Sequence, residues 1–455
     1  MYRKRKNIFS FLALSSTILF AQSPQEWSLK ECIDYSMEHN IQLKMEKLSL
    51  EESEINVKSA KASLFPSLSF STSQNGRYQP YFEDGGNTFV TSDGSGGSRV
   101  SSSREHFSYS GSYGVNAGVT IFNGGKNINN IKQQKITRDI ASLSIEEREN
   151  ALKEEITKLF IQILYSTDAV KVNEALLEGA KANLAQGKEK YEVGKIARSE
   201  VVQLESQLNN VEYQLVNSRV QLAEFKLQLK QLLEITDGRD ISIATPDASD
   251  ALALHPMASV SEAYNAALAH RPEVESSKLS SKASAIAVKI ARAGYYPTLS
   301  LNAGAGTSNS DNNNNSFGHQ MKYNLNCSMG VTLSVPLYDN RNTKSNIQKA
   351  KIQLSNSYLQ EMNTQKELYS TIEGLWLDAN SAQKKFIAAK SNVESAQASY
   401  DLVSEQFSVG LKNATELLTE RNNLLSAQQE LLQSKYTAIL NLQLLKFYMG
   451  GDILF

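Results

Sequence analysis

The sequence predicts an α+β membrane protein made of two tandem repeats, each pairing a β-hairpin with very long coiled-coil helices. Three observations lead there. The stretch from Leu29 to Ser73 lies without a gap on Val260 to Gly304, an offset of 231 positions. Under that offset Lys47, Leu48 and Ser49 meet Lys278, Leu279 and Ser280, and Pro66, Leu68 and Ser69 meet Pro297, Leu299 and Ser300. Both copies then carry segments in which apolar and small polar residues alternate with the period of two of a strand. Each copy continues in a proline-free run of about 65 residues, roughly 100 Å as α-helix, dominated by Leu, Ile, Ala, Lys, Glu and Gln. A duplication of this kind decides the architecture before any single element does.

A second correspondence follows at an offset of 216 positions, with Phe122 on Tyr338, Val193-Gly194 on Val409-Gly410 and Glu200 on Glu416. The first copy therefore holds 15 residues that the second lacks, between Ser73 and Tyr113. Each copy reads helix, strand, loop, strand, very long helix, tight turn, helix. The expected boundaries are a signal peptide over 1–21, a first repeat over 22–234, a linker over 235–259 and a second repeat over 260–455.

In the first repeat, apolar positions at helical spacing run from Leu29 to about Leu64. Pro66 stops them, because proline removes a donor and pushes its predecessor out of the α region. Strands are expected over about 66–73 and 107–122, around a Gly-, Ser- and Asp-rich loop from Gln74 to His106. The long helix follows over about 126–191, then a turn at Gly194, where a left-handed C-cap belongs, then a return helix over about 199–233. Pro246 and Pro256 mark the linker, which is expected to cross back at mid-height. The second repeat places strands over about 297–306 and 322–338, around a loop from Thr307 to Met321. Its long helix covers about 342–407 and its return helix about 415–449, after a turn at Gly410. Return helices of roughly 50 Å cover only half of each long helix; the helices before Pro66 and Pro297 are expected to cover the rest.

Composition removes several function classes. The 455 residues carry a net charge of −1, so nothing points to nucleic acid. Two cysteines, Cys32 and Cys327, and five scattered histidines form no catalytic cluster, metal site or disulfide framework. No enzyme activity, cofactor or metal is expected. His39 and His270 are equivalent under the first offset, but each reads as an ordinary helix-end histidine. At the N-terminus, Arg3, Lys4, Arg5 and Lys6 precede an apolar core from Ile8 to Phe20 and a cleavage point at Ala21-Gln22, the pattern of a secretory signal peptide. No later run approaches the ~18 apolar residues of a membrane helix, so any membrane entry is by strands.

The strands have the composition for it. Tyr113, Val115, Ala117 and Val119 alternate with Ser112, Asn116, Gly118 and Thr120, and Cys327, Met329, Val331 and Leu333 with Ser328, Gly330, Thr332 and Ser334. Apolar residues on one face and small polar ones on the other is the pattern of outer-membrane strands. Tyr109, Tyr113 and Tyr323 stand near the loop ends, where an interfacial aromatic belt sits. Four strands cannot close a barrel, since the smallest membrane barrels have about eight, and open edges are not tolerated in lipid. Several chains must therefore share one barrel.

The doubled helix-proline-strand step resembles the TolC family of outer-membrane efflux and secretion channels across essentially the whole mature chain. So do Val335-Pro336-Leu337-Tyr338-Asp339 before the second long helix, and the paired turns Tyr191-Glu192-Val193-Gly194 and Phe407-Ser408-Val409-Gly410. The resemblance implies a homotrimer whose hairpins form a twelve-stranded barrel in outer-membrane lipid, continuous with a periplasmic α-barrel of twelve helices. It implies a passive exit duct of a tripartite efflux pump in the cell outer membrane. Its partners would be a periplasmic membrane-fusion adaptor protein and an inner-membrane pump of RND, ABC or MFS type. It further implies that Val193, Gly194, Lys195, Ile196, Val409, Gly410, Leu411 and Lys412 form adaptor-docking tips. Glu416 and Glu200 are the corresponding periplasmic gate candidates, with Lys412 expected to pair with Glu200 across adjacent hairpins. Thr419 stands where a second acid occurs in some members. The alternatives are a duct for type I protein secretion and, in a different class, a structural coiled-coil envelope stalk. A diffusion porin would need more strands per chain.

Overall fold

Strands of opposite-faced chemistry organise the chain. The computed structural model describes residues 26–78, 80, 91–92, 98–99, 107–236, 241–246, 249–311 and 313–453. The expected signal peptide and most of the loop between the first two long strands lie outside them. In order, the elements are β1 (Glu26–Trp27), α1 (Leu29–His39), α2 (Ile41–Ala62), β2 (Ser67–Tyr78), β3 (Thr91–Ser92), β4 (Ser98–Arg99), β5 (Phe107–Asn123), α3 (Lys126–Glu192) and α4 (Arg198–Leu232). There follow β6 (Ser242–Ile243), α5 (Asp250–Ala253), α6 (Val260–His270), α7 (Pro272–Arg292), a 3-10 turn (Ala293–Tyr295), β7 (Thr298–Ser310), α8 (Phe317–Tyr323), β8 (Asn326–Ser334), α9 (Asn342–Val409) and α10 (Ala414–Tyr448). The long helices α3 and α9 have 67 and 68 residues, and the return helices α4 and α10 have 35 each. No helix among the described residues is long and apolar enough to cross a membrane.

The chain forms two compact units. One holds residues 42–148 and 267–371 and contains a four-stranded antiparallel sheet in the order β2-β5-β7-β8. Its register separates two chemistries. Phe70, Val115 and Ala305 pair across three strands, as do Leu68, Ala117, Ala303 and Met329 across four. One step along, Ser69, Asn116, Gly304 and Ser328 pair on the opposite face. The apolar face of β2 and β8 is exposed, including Leu68, Phe70, Met329, Val331 and Leu333. A one-residue slip would exchange the two faces along a whole strand, which pins the register.

The sheet departs from the sequence reading at its ends. β2 runs to Tyr78, because Gln74, Asn75 and Gly76 pair with Gly111, Ser110 and Tyr109. β7 runs to Ser310, because Thr307, Ser308, Asn309 and Ser310 pair with Tyr113, Ser112, Gly111 and Ser110. Ladder hydrogen bonds there override a turn-like composition. β8 covers only Asn326–Ser334 rather than 322–338. At its start, α8 takes up Phe317–Tyr323; at its end, Pro336 has no N–H for a ladder. A bulge between Thr120 and Phe122 returns Phe122 to the apolar face opposite Leu299.

The helix expected from Leu29 to Leu64 is broken. Asn40 takes extended angles (φ −58°, ψ 125°) while its N–H still donates to the Ser36 carbonyl at 2.9 Å, ending α1. At the position offset by 231 residues, Arg271 does the same (φ −80°, ψ 123°), and Pro272 opens α7. Proline accounts for the second break, since it disfavours α geometry in its predecessor. Asparagine, which competes poorly inside helices, marks the first. Both preceding helices start with a capping box: the Glu31 amide donates to Ser28 Oγ at 3.3 Å, and the Glu262 amide to Ser259 Oγ at 3.3 Å.

The other unit holds residues up to 41, 149–266 and 372 onward, around a core that includes Leu152, Ile156, Phe160, Leu229, Phe386 and Ile439. The linker is fixed within it. β6 pairs in parallel with β1, Gln383 Nε2 donates to the Ala253 and His255 carbonyls at 3.0 and 2.8 Å, and Trp376 Nε1 to the Ala258 carbonyl at 3.0 Å. Asp250 lies 2.8 Å from Lys390 Nζ and 3.2 Å from Lys435 Nζ, joining α9 to α10; the Lys390 hydrogen bond chiefly holds its carboxyl below the usual range.

The strand-to-helix turn before α3 depends on glycine. Gly124 has φ +66°, and a Cβ there would sit 2.8 Å from Tyr296 Cβ and 2.9 Å from the Ala293 carbonyl oxygen. Its neighbour Gly125 has φ +76° but meets only Asn129 Nδ2, at 3.8 Å. Gly125→Ala is expected to cost about 1 kcal/mol, the left-handed strain alone, and Gly124→Ala more. Thermal unfolding of the two purified variants checks the order.

Candidate functional site

The residues singled out by the sequence gather at the two hairpin tips, and the tips are built by helix-end chemistry. An α-helix leaves its last carbonyls and first amides without intrahelical partners. At the end of α3 the Lys195 amide donates to the Lys190 carbonyl at 2.8 Å and the Gly194 amide to the Tyr191 carbonyl at 2.9 Å. At the end of α9 the Leu411 amide donates to the Gln406 carbonyl at 2.9 Å and the Gly410 amide to the Phe407 carbonyl at 3.1 Å. Both are Schellman turns with glycine in the left-handed region, φ +71° and +85°. Val193, Val409 and Leu411 are exposed on them, and Lys195 is too, while Ile196 packs on a small core of Leu184, Val201, Leu204, Phe407, Ala414 and Leu417.

The start of α10 is capped twice over. Asn413 Oδ1 accepts from the Glu416 amide at 3.0 Å, and Glu416 Oε2 accepts from the Asn413 amide at 3.2 Å. Glu416 Oε1 also meets Lys412 Nζ at 2.5 Å. The Lys412 hydrogen bond first, and the Asn413 amide second, hold the Glu416 carboxyl below the usual range. The expected Lys412–Glu200 pair is therefore not made within the chain. The capping box folds Glu416 back towards residue 412, and Lys412 takes this nearer carboxylate. Glu200 does reach the second hairpin, but through backbone: its Oε2 accepts from the Ala414 amide at 3.2 Å. Thr419 is exposed and donates to the Thr415 carbonyl at 2.9 Å, turning its hydroxyl into its own helix.

The sequence reading missed Lys190. Its buried ammonium lies 3.8 Å from the Phe407 ring centroid and donates to the Phe407 carbonyl, one of the last of α9. Burial, reinforced by the nearby Lys195, lowers its pKa. The first hairpin thus sets a cation at the carboxyl end of α9 and a carboxylate at the amino end of α10, the favourable sign at each helix end. Arg421 was missed as well. It is buried on α10, with Nη2 donating to the Leu176 carbonyl of α3 and Nη1 without a hydrogen-bond partner among the described residues. Neither side chain has a local signal in the sequence, because each contact spans more than 200 residues.

No group of three or more His, Cys, Asp or Glu side chains suited to a metal occurs among the described residues. His39 stacks on Tyr35 with ring centroids 4.0 Å apart, and its Nδ1 lies 2.9 Å from the Tyr35 carbonyl oxygen. Cys32 is a core residue whose thiol burial pushes up to about 12, far from the reactive range. Removing the Asn413 cap tests the tip description. Asn413→Ala is expected to cost about 1 kcal/mol locally, roughly fivefold faster exchange of the Thr415–Leu417 amides, read by hydrogen exchange with the helix cores unchanged.

Comparison with known proteins places this geometry. The family model described as outer membrane efflux protein matches residues 33–234 and 263–451. The outer membrane efflux protein BepC of Brucella suis biovar 1 (strain 1330) is 22% identical over 335 residues, covering 72% of this chain and 70% of that protein. The outer membrane protein TolC of Salmonella enteritidis is 21% identical over 301 residues, 64% of this chain and 59% of its own length. A crystal structure of CusC, described in terms of folding and transmembrane channel formation, superposes with a TM-score of 0.78 at 15% identity, covering 94% of this chain and 93% of that one. With the family model spanning both halves, this chain belongs to the outer membrane efflux protein family, a family of outer-membrane channel proteins.

Proposed function

We propose that this protein is the passive exit duct of a tripartite efflux pump, working as a trimer with a periplasmic adaptor and an inner-membrane transporter. One observation carries the reading: a four-stranded sheet with one apolar and one serine-, asparagine- and glycine-rich face, whose edge strands β2 and β8 are each paired on one side only among the described residues. In hydrocarbon both edges need partners. The β8 edge of one copy and the β2 edge of the next supply them, and three copies give twelve strands around a polar lumen. The long helices α3 and α9, roughly 100 Å each, suit a tunnel across the periplasm, with the hairpin tips at its far end. Exposed Val193, Val409 and Leu411 offer an apolar surface for an adaptor's own helical tips. Glu200, Lys412 and Glu416, repeated three times, would ring the entrance and select for cations. Which transporter class supplies the energy is a property of the partner, not of these residues.

Single-channel recording of the purified protein in planar bilayers tests this. Small cation-selective openings are expected. Lys412→Ala is expected to strengthen selectivity by freeing Glu416, with the size of the openings little changed. Glu416→Gln is expected to weaken selectivity. Acid acts with a defined sign: the Glu416 carboxyl is depressed in the folded protein, so its contribution is complete at neutral pH. It is lost only as pH falls below the ordinary glutamate value of about 4.3, where wild type approaches Glu416→Gln. A water-soluble monomer without conductance under any condition overturns the duct and leaves a coiled-coil stalk.

A further inference from the structure

We propose that α8 is a lipid foot, a short helix that rests in the headgroup layer of the membrane and contacts phosphate-bearing lipid. The inference deepens the proposed function and rests on its assignment of the apolar sheet face to lipid. α8 connects β7 to β8 at the end of the sheet away from the long helices, where a loop would ordinarily be free to fold over the lumen.

Two contacts fix which side it takes. The Phe317 ring packs edge-on against Tyr113, with centroids 6.5 Å apart at 85°. Thr307 Oγ1 donates to the Met321 carbonyl at 2.8 Å. Tyr113 and Thr307 are a cross-strand pair, in line with Val115 and Ala305 on the apolar face. α8 therefore lies outside the sheet, over the apolar face, and not over the serine and asparagine face. Hydrogen bonds hold it in place. Gln320, 5% exposed, accepts from the Ser310 amide at 2.8 Å and donates to the carbonyls of Ser310, Asn313 and Asn315 at 3.1, 3.2 and 2.8 Å. Asn324 Nδ2 donates to the Ser308 carbonyl at 2.6 Å.

What α8 leaves outside is chemically uniform. Phe317, Tyr323 and Leu325 are 57%, 68% and 61% exposed. His319 stacks on Tyr323 with centroids 4.2 Å apart, and Lys322 Nζ lies 5.7 Å from the same ring. No acid occurs from Asn312 to Asn326, and the preceding Asp311 accepts from the Tyr109 amide at 2.5 Å. Aromatic rings with a polar tip favour the membrane–water interface. A lysine beside them extends its stem along apolar surface while its ammonium stays at headgroup level, where phosphate charge attracts it. The length agrees. Leu299–Thr307 is nine residues of β7, within the roughly 9–11 that a tilted strand needs to cross the hydrocarbon layer, so Thr307 and the helix it holds stand near the rim.

The test uses the full chain in vesicles of phosphatidylcholine and phosphatidylglycerol, with wild type, which has two tryptophans, as the reference emission. Tyr323→Trp is expected to add blue-shifted emission, quenched more by headgroup-labelled than by mid-chain nitroxide lipid. Met329→Trp, on the apolar face of β8, is expected to show the reverse order. Adding Lys322→Glu to Tyr323→Trp is expected to reduce the headgroup quenching, most at high phosphatidylglycerol. If Met329→Trp is quenched by lipid while Tyr323→Trp is quenched only by aqueous iodide, the foot is overturned and the membrane sheet stands. If Tyr323→Trp escapes both lipid and iodide, a neighbouring chain covers α8 and the foot is again overturned. If Met329→Trp also escapes lipid, the membrane assignment fails with it. Leu325→Trp gives the same readout if Tyr323→Trp does not fold.

Discussion

Unpaired backbone is the constraint on which the rest of this structure depends. β2 and β8 each turn one row of N–H and C=O groups away from the sheet. In water such edges are tolerable; beside an apolar face meant for lipid they are not, because hydrocarbon offers no hydrogen-bond partner. On the proposed reading, the two-faced sheet would need further copies of the chain to pair its edges. The bulge at Thr120 and the serine- and glycine-rich face keep the register from slipping, since a slip would put serine against lipid along an entire strand.

Helix ends set the chemistry at the hairpin tips. The tips carry acids and lysines, and three of them, Glu416, Glu200 and Lys190, also bond the backbone at helix ends. Glu416 closes the capping box of α10, Glu200 receives the first amide of that helix, and Lys190 serves a last carbonyl of α9. Any gating by these groups would draw on the contacts that also stabilise the tips. Separating the two hairpins of one chain requires releasing backbone dipoles as well as side-chain charges. The Lys412–Glu416 pair lies within one hairpin and does not oppose that separation. Glu200, Lys412 and Glu416 are part exposed, where screening keeps each interaction weak.

Much of the fold could be read from one dimension because it repeats and because its periods are simple. Alternation in Tyr113–Val119 and Cys327–Leu333 located two strands and their faces, and the absence of proline located α3 and α9. Gly194 and Gly410 located the turns, since left-handed geometry leaves few other residues. The errors cluster where side chains far apart in sequence compete with local preference. Gln320 draws the chain into α8 where an open loop was expected, and pairing with Tyr109–Gly111 holds Gln74–Gly76 in a strand despite turn-forming residues.

The sequence by itself determined the periodic features: the helices, the strand faces and the tip turns, each written in residues within a turn or two of one another. It also placed Glu200, Lys412 and Glu416 at the tips. Only the tertiary structure decided how those charges are spent. Glu200 reaches the Ala414 amide of the second hairpin rather than Lys412. Lys190 and Arg421 find carbonyls on helices more than 200 residues away, and α8 settles on the apolar side of the sheet through Tyr113 and Thr307. Local sequence fixes backbone preference, but the choice among several partners of like chemistry depends on which of them packing brings within hydrogen-bond reach.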